Sequence, residues 1–276
     1  MVNTPRDQAA GLRRIMAGPQ PRVVSILSAT NSGDKSRTLS NLAVSLRRNG
    51  SDVLVVNAAT NAHEVLKQYG INGLPSLMAV AQKKRVMEEA ILLSPQGFYV
   101  ANLMANHQLT TGLDAAASHA LNKIFESLAH HYDVVLVDAE LTAADTLPLQ
   151  IMNDSEIIIE LTNKAESIKQ AYRLIKQVYS QLGKRSFGIL VTNVNDTQAQ
   201  DVFRNLAQVA RRYLSIELEF MGAIPPDEHL NRATQLGRSV VEAFPMALAT
   251  AAFKALAKRL GYALGTRNQN AQRAEA

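Results

Sequence analysis

Val23 to Ser28, "VVSILS", is apolar on both of its faces, and a run of that kind reads as a strand buried inside a sheet. Leu39, Leu42, Ala43 and Leu46 then recur at helical spacing, and "RRNG" closes that segment. Asp52 to Ala58 reads as a second strand. Asn61 to Gln82 reads as mostly helical with a break at "GINGLP", and Gly97 to Asn102 as a further strand. A helix from Leu113 to Ala129 leads into Asp133 to Ala139, "DVVLVDA", the clearest buried strand. Ser155 to Leu161 is another, followed by a helix with Ile168, Ala171, Ile175, Val178 and Leu182 on one face. Ser186 to Val194 is a strand, Val202, Leu206, Val209 and Tyr213 mark a helix, and Ile216 to Pro225 ends the strand series.

Such alternation predicts an α/β, doubly wound fold: a mostly parallel sheet with helices on both faces. Ligands in folds of this kind bind beyond the carboxyl ends of the strands. Three stretches meet there: "TNSGDKS" (30–36), "NAAT" (57–60) and "DAEL" (138–141). Ahead of the first strand lies a short basic amphipathic segment, ended by the helix-breaking "AGPQPR". The chain is expected to divide into an N-terminal segment and linker (1–21), one α/β domain (22–264) and a polar tail (265–276).

Composition narrows the chemistry. The 276 residues include no cysteine, which excludes disulfides, thiolate zinc sites and cysteine catalysis. No apolar run nears the eighteen or so residues of a membrane span, and the first residues lack a signal-peptide core, so the expected location is cytoplasmic. A net charge of +5 is mild for this length, and aromatic residues make up only 5%, so nucleic acid is not the expected partner. His63, His107, His119, His130, His131 and His229 show no metal-binding spacing of the HExxH type, and His130-His131 reads as a solvated turn. Gln82 to Glu89, "QKKRVMEE", reads as an exposed helix end. Met246 to Leu264 places Leu248, Ala252, Leu256, Leu260 and Leu264 on one helical face, which suits packing on the sheet better than a membrane surface.

Three stretches carry a resemblance. "DQAAGLRR" (7–14), "SNLAVSLRRNGSDVLVVNA" (40–58) and "GAIPPDEHLNRATQLGRSVVEAFP" (222–245) are similar to segments of the MinD/ParA branch of P-loop ATPases, and within it the FlhG/FleN group of flagellar-number regulators. The resemblance implies a MinD-like P-loop fold, an ATP-bound dimer, Mg²⁺, and hydrolysis assisted by the partner subunit. It also implies an N-terminal activator segment, here Asp7, Gln8, Ala9, Leu12 and Arg13, that engages an FlhF-type GTPase. Flagellar switch proteins or a MinD-like paralogue are further implied partners, with placement at the inner membrane or cell pole.

A phosphate loop aims successive backbone N–H groups at the oxygens, with a lysine as point charge and a Ser or Thr hydroxyl on Mg²⁺. The family pattern is Lys-Gly-Gly-x-Gly-Lys-Thr. Gly33, Lys35 and Ser36 are the candidate nucleotide contacts, and Ser36 with Asp138 the candidate metal ligands. Thr30 stands where the signature lysine belongs, Asn31 and Ser32 replace glycines, and Asp34 replaces the glycine before Lys35. A carboxylate about 5 Å from a phosphate charge at a dielectric of about 20 is repelled by roughly 3 kcal/mol. Asp34 is read either as capping the following helix, with Lys35 then paired to a carboxylate, or as pointing outward with the loop still binding. The second strand ends Asn57-Ala58-Ala59 where the family has two aspartates, and Glu140, Leu141 and Thr142 follow Asp138 without a glycine. Asn193 and Pro225 match positions that frame adenine. The expectation is ATP or ADP with Mg²⁺ bound weakly or not at all, little or no hydrolysis, and regulation through protein contacts. The alternative is a divergent ATPase with ATP-dependent dimerisation and membrane or DNA association.

Overall fold

The structure is a computed structural model that describes residues 22–59, 71, 73–104 and 115–273. Eight strands form one sheet: β1 (Arg22–Ser28), β2 (Val53–Ala58), β3 (Ile91–Leu93), β4 (Tyr99–Asn102), β5 (Val134–Ala139), β6 (Glu156–Leu161), β7 (Phe187–Thr192) and β8 (Leu218–Ile224). Their order is β3-β4-β2-β5-β1-β6-β7-β8. Every pairing is parallel except β3 with β4. The expected doubly wound sheet is therefore present, with an antiparallel edge strand the sequence did not announce.

Helices cover both faces. α1 (Ser32–Arg48), α7 (Glu228–Gln235), α8 (Val240–Ala243) and α9 (Leu248–Arg273) lie on one side, where Leu39, Leu42, Leu46, Val241, Phe253 and Leu260 pack on Val24, Ile26 and Val55. α2 (Leu77–Ala81), α4 (Ala115–His131), α5 (Ala165–Leu182) and α6 (Asp196–Leu214) cover the other, where Leu77, Phe125, Ile175 and Leu206 pack on Val135, Ile159 and Ile189. The short α3 (Met87–Ala90) leads into β3.

Several local expectations shift. The charge run 82–89 is exposed but spans two elements: Gln82 caps α2, Lys83 turns the chain with positive φ, and Met87 starts α3. His130 and His131 are exposed at the last turn of α4, and His131 Nδ1 lies 2.6 Å from the Ser127 carbonyl, so the pair belongs to a helix end. α9 does pack on the body, through Ala249, Phe253, Leu256, Ala257 and Leu260, while Leu248 is exposed. Its backbone continues past 264, so the boundary drawn there falls inside a helix. Among the described residues no helix is long and apolar enough to cross a membrane. Asp7, Gln8, Ala9, Leu12 and Arg13, with most of 61–72, lie outside the described residues.

Candidate functional site

Strand register assembles the site. β1 is central, and the sheet's connections run outward from it in opposite directions, which marks the point where ligands enter such folds. Ser28 ends β1 beside Glu160 of β6, and Asp138 of β5 sits beside Asn57 of β2. A cleft of about 450 Å³ opens above these ends. One wall is the β1–α1 turn with Thr30, Ser32, Lys35 and Ser36. The second is the segment after β5, from Asp138 to Thr142 with Asp145. The third is the α5 face carrying Gln170, Arg173 and Gln177.

The β1–α1 turn is not an open loop. α1 begins at Ser32, so Ser32, Gly33 and Asp34 are its first turn. Asn31, with φ −74° and ψ 160°, is the cap, and its Oδ1 accepts from the Asp34 N–H at 2.8 Å. The Asn31 carbonyl takes the Lys35 N–H at 3.2 Å. Upstream, Ala29 N–H donates to the Glu160 carbonyl at 2.8 Å and Thr30 N–H to Ser28 Oγ at 3.1 Å. Three amides of the 30–36 stretch, those of Thr30, Asp34 and Lys35, are thus spent on the protein itself.

Asp34 corrects one expectation. It does not cap α1; it sits inside the first turn, accepts from Asn31 Nδ2 at 2.7 Å and pairs with Arg37. Arg37 also donates to Asn231 Oδ1 at 2.6 Å. Lys35 pairs with a carboxylate as expected, and that carboxylate is Asp138. Its Nζ also donates to the Ala139 carbonyl at 2.6 Å, and both ion-pair side chains are nearly enclosed.

Lys35, Ser36 and Asp138 line one cleft, whereas Gly33 faces outward on the turn. Asn193 and Pro225 lie elsewhere, at a gap of about 20 Å³ beside Asp34, Arg37 and Thr38. That is room for one water molecule. Asn57 donates to Asn102 Oδ1 at 3.3 Å and accepts from the Ala59 N–H at 3.3 Å, so its amide serves the strand end. After Asp138, Thr142 and Thr146 close a turn through their hydroxyls at 2.8 Å.

A nucleotide with Mg²⁺ fits these residues poorly. The amide cradle is wound into helix, and the Lys35 ammonium pairs with one Asp138 oxygen, so a cation beside Ser36 would compete with Lys35 for that carboxylate. Among the described residues no three His, Cys, Asp or Glu side chains converge on a metal position.

Sequence reading missed Glu160. It is fully buried at the end of β6 and accepts from Thr38 Oγ1 at 2.6 Å and Ser28 Oγ at 2.8 Å. Burial pushes its carboxyl upward from the ordinary value, against the lowering effect of those two hydroxyls and of Lys35. The signal was present: the second charge of "EIIIEL", set beyond three buried isoleucines, must either face outward or find partners.

No protein-family profile matches the chain. The antiactivator FleN of Pseudomonas aeruginosa is 26% identical over 240 residues, covering 87% of this chain and 86% of that protein. The MinC:MinD cell division complex of Aquifex aeolicus contains a chain that superposes with a TM-score of 0.63 at 22% identity, over 87% of this chain and 95% of that one. MinD of Pyrococcus horikoshii, complexed with Mg-ADP, superposes with a TM-score of 0.61 at 19% identity, over 87% and 95%.

Proposed function

We propose, for a chain of the MinD/ParA-type P-loop ATPase fold that is similar in sequence to FleN, that it regulates flagellar number or placement through protein contacts, with impaired or absent ATP hydrolysis. One observation carries this reading: α1 starts at Ser32, so the residues that should cradle phosphate form a capped helical turn. Asn57 and Ala58 at the end of β2 supply no carboxylate to take a proton from water. Nucleotide with Mg²⁺ is then held weakly or not at all. In this reading Lys35, Ser36 and Asp138 on the cleft, with Gly33 on the adjoining turn, mark a nucleotide site of reduced capacity, and Asn193 and Pro225 border the separate gap beside Asp34, Arg37 and Thr38.

The partner in this reading is an FlhF-type GTPase, engaged by Asp7, Gln8, Ala9, Leu12 and Arg13. FleN is named an antiactivator and a MinD relative is named in complex with MinC, so protein partners suit relatives of this kind. A pulldown with an FlhF-type GTPase compares the full chain with one lacking residues 1–17. Loss of binding on truncation is expected, and equal binding counts against the contact. The site is tested by calorimetry with Mg-ATP: the reading expects no saturable binding below about 1 mM.

The second reading is a divergent ATPase. It draws on the convergence of Lys35, Ser36 and Asp138 on one cleft large enough for a small ligand. A turnover rate that disappears in Lys35→Ala while the variant stays folded under the assay conditions would favour it.

A further inference from the structure

Glu160 grips the β1–α1 turn from behind. Its carbonyl takes the Ala29 N–H at 2.8 Å, its Oε2 takes Ser28 Oγ at 2.8 Å, and its Oε1 takes Thr38 Oγ1 at 2.6 Å, one turn into α1. The Ser28 hydroxyl passes the constraint on, since it also accepts from Thr30 N–H at 3.1 Å and lies 2.7 Å from Thr30 Oγ1. One buried side chain therefore connects the strand end, the turn and the helix. No solvent competes for these bonds, because the residue is fully buried.

A buried carboxylate is costly to keep and is retained only where its partners are fixed. Here the partners are the hydroxyls on either side of the turn that a phosphate would have to open. Unwinding Ser32 to Asp34 into a loop moves Ser28, Thr30 and Thr38 relative to one another. That movement leaves Glu160 with fewer than its two donors in a site without water. The charge faces the same way: Lys35 and Asp34 both lie within its electrostatic reach, and an anion entering beside Lys35 would share Lys35 with Glu160 and Asp138.

We propose that Glu160 is the positioning residue that holds the Ser28–Asp34 turn wound, so that the cleft's capacity for phosphate-bearing ligands is set from behind the loop and not by the loop sequence alone. This rests on the reading of the cleft as a degenerate nucleotide site. It assigns the degeneracy a second component, located on β6 and absent from any comparison of the loop motif. The wound turn and an unwound, anion-accepting turn form an equilibrium, and Glu160 biases it toward the first. Apparent affinity for a phosphate ligand then scales with the fraction unwound.

The test uses the full chain as wild type, Glu160→Gln and Thr38→Val. Glu160→Gln keeps the shape and removes the charge; Thr38→Val removes one donor at nearly constant volume. Amide hydrogen exchange is followed at residues 28–38 and at α6, and each protein is titrated with Mg-ATP and with inorganic phosphate. Charge-assisted hydrogen bonds are about twice as strong as neutral ones, so both variants are expected to exchange about tenfold faster at 28–38. Exchange in α6 stays at the wild-type rate, which separates a local release from general destabilisation. Affinity for Mg-ATP rises by the same factor as the exchange. Unchanged exchange at 28–38 overturns the proposal, and so does faster exchange without tighter binding. Micromolar binding by the wild type is a different result: it overturns the degenerate-site reading and leaves the role of Glu160 to be judged from the exchange alone.

Discussion

The Lys35 ammonium is bound to the Asp138 carboxylate across the contact between α1 and β5, with the two side chains 7% and 8% exposed. A phosphate-loop lysine is expected to wait for its ligand; this one already has a permanent anion and a carbonyl. Its position in the motif is unchanged, but its bonding is that of a strut.

Removing Lys35 should therefore destabilise the fold. Breaking one side of a buried ion pair costs about 3–5 kcal/mol, because the remaining charge stays buried without its partner. Lys35→Ala is expected to lose about that much in urea unfolding, and Lys35→Ala/Asp138→Ala to recover part of it. A loss below about 1 kcal/mol would show that Lys35 is free to serve a ligand.

Asn31 is expected to act as a helix cap. Asn31→Ala should cost about 0.5–2 kcal/mol and Asn31→Gly only a few tenths, as at other N-caps. The order of the two denaturation midpoints checks it. A glycine that behaves no better than alanine would mean the Asn31–Asp34 bond is not what stabilises the turn.

The raised pKa of Glu160 fixes the direction of its pH dependence. Between the ordinary carboxyl value and the raised folded value, the native state holds a proton that the unfolded chain has released. Glu160 therefore reduces stability as pH rises through that window, and the penalty is complete above the folded value. The difference between Glu160→Gln and wild type should therefore move in the variant's favour as pH rises above the ordinary carboxyl range, on top of the pH-independent loss from weakened bonds to Ser28 and Thr38. Unfolding free energies measured across this range check it, and a pH-independent difference would contradict the burial effect.

Asp227 works in the opposite sense. Desolvation would raise its carboxyl, but the N–H groups of Ala249 and His229 and the His229 ring outweigh it and hold the pKa below the ordinary value. Its Oδ1 caps α7 at the His229 N–H, 2.9 Å away, and its Oδ2 holds the first turn of α9 at the Ala249 N–H, 3.0 Å away. Its contribution is present above the ordinary aspartate value and is lost as pH falls through the lowered folded value. Asp227→Ala should cost about 2 kcal/mol at neutral pH, and the difference from wild type should shrink in acid.

Most of the sheet was legible because buried parallel strands need continuous apolar runs, and β1, β5 and β6 have them. Strand β3 was not: three residues at an edge, with Leu92 and Leu93 partly exposed, carry no burial pattern to read. At the turn, Asn31 reads in sequence as the replacement of a glycine, although Asn three residues before Asp34 is also a helix-start signature. The helix won because its cap satisfies the same amides without a ligand. Glu160 and Asn193 show a different limit. Which buried hydroxyls meet a carboxylate, and which strand ends share a pocket, depends on register, and register is set by pairing across more than a hundred residues.

The position of β1 also decides when this protein can fold. β1 takes both of its neighbours from far downstream, beginning at Val134 and Glu156, and the outer surface of α1 waits for α9 further on. Until those downstream strands are made, β1 is an apolar strand with two unpaired edges, and a product truncated before Leu248 would leave bare the side of α1 that packs on α9.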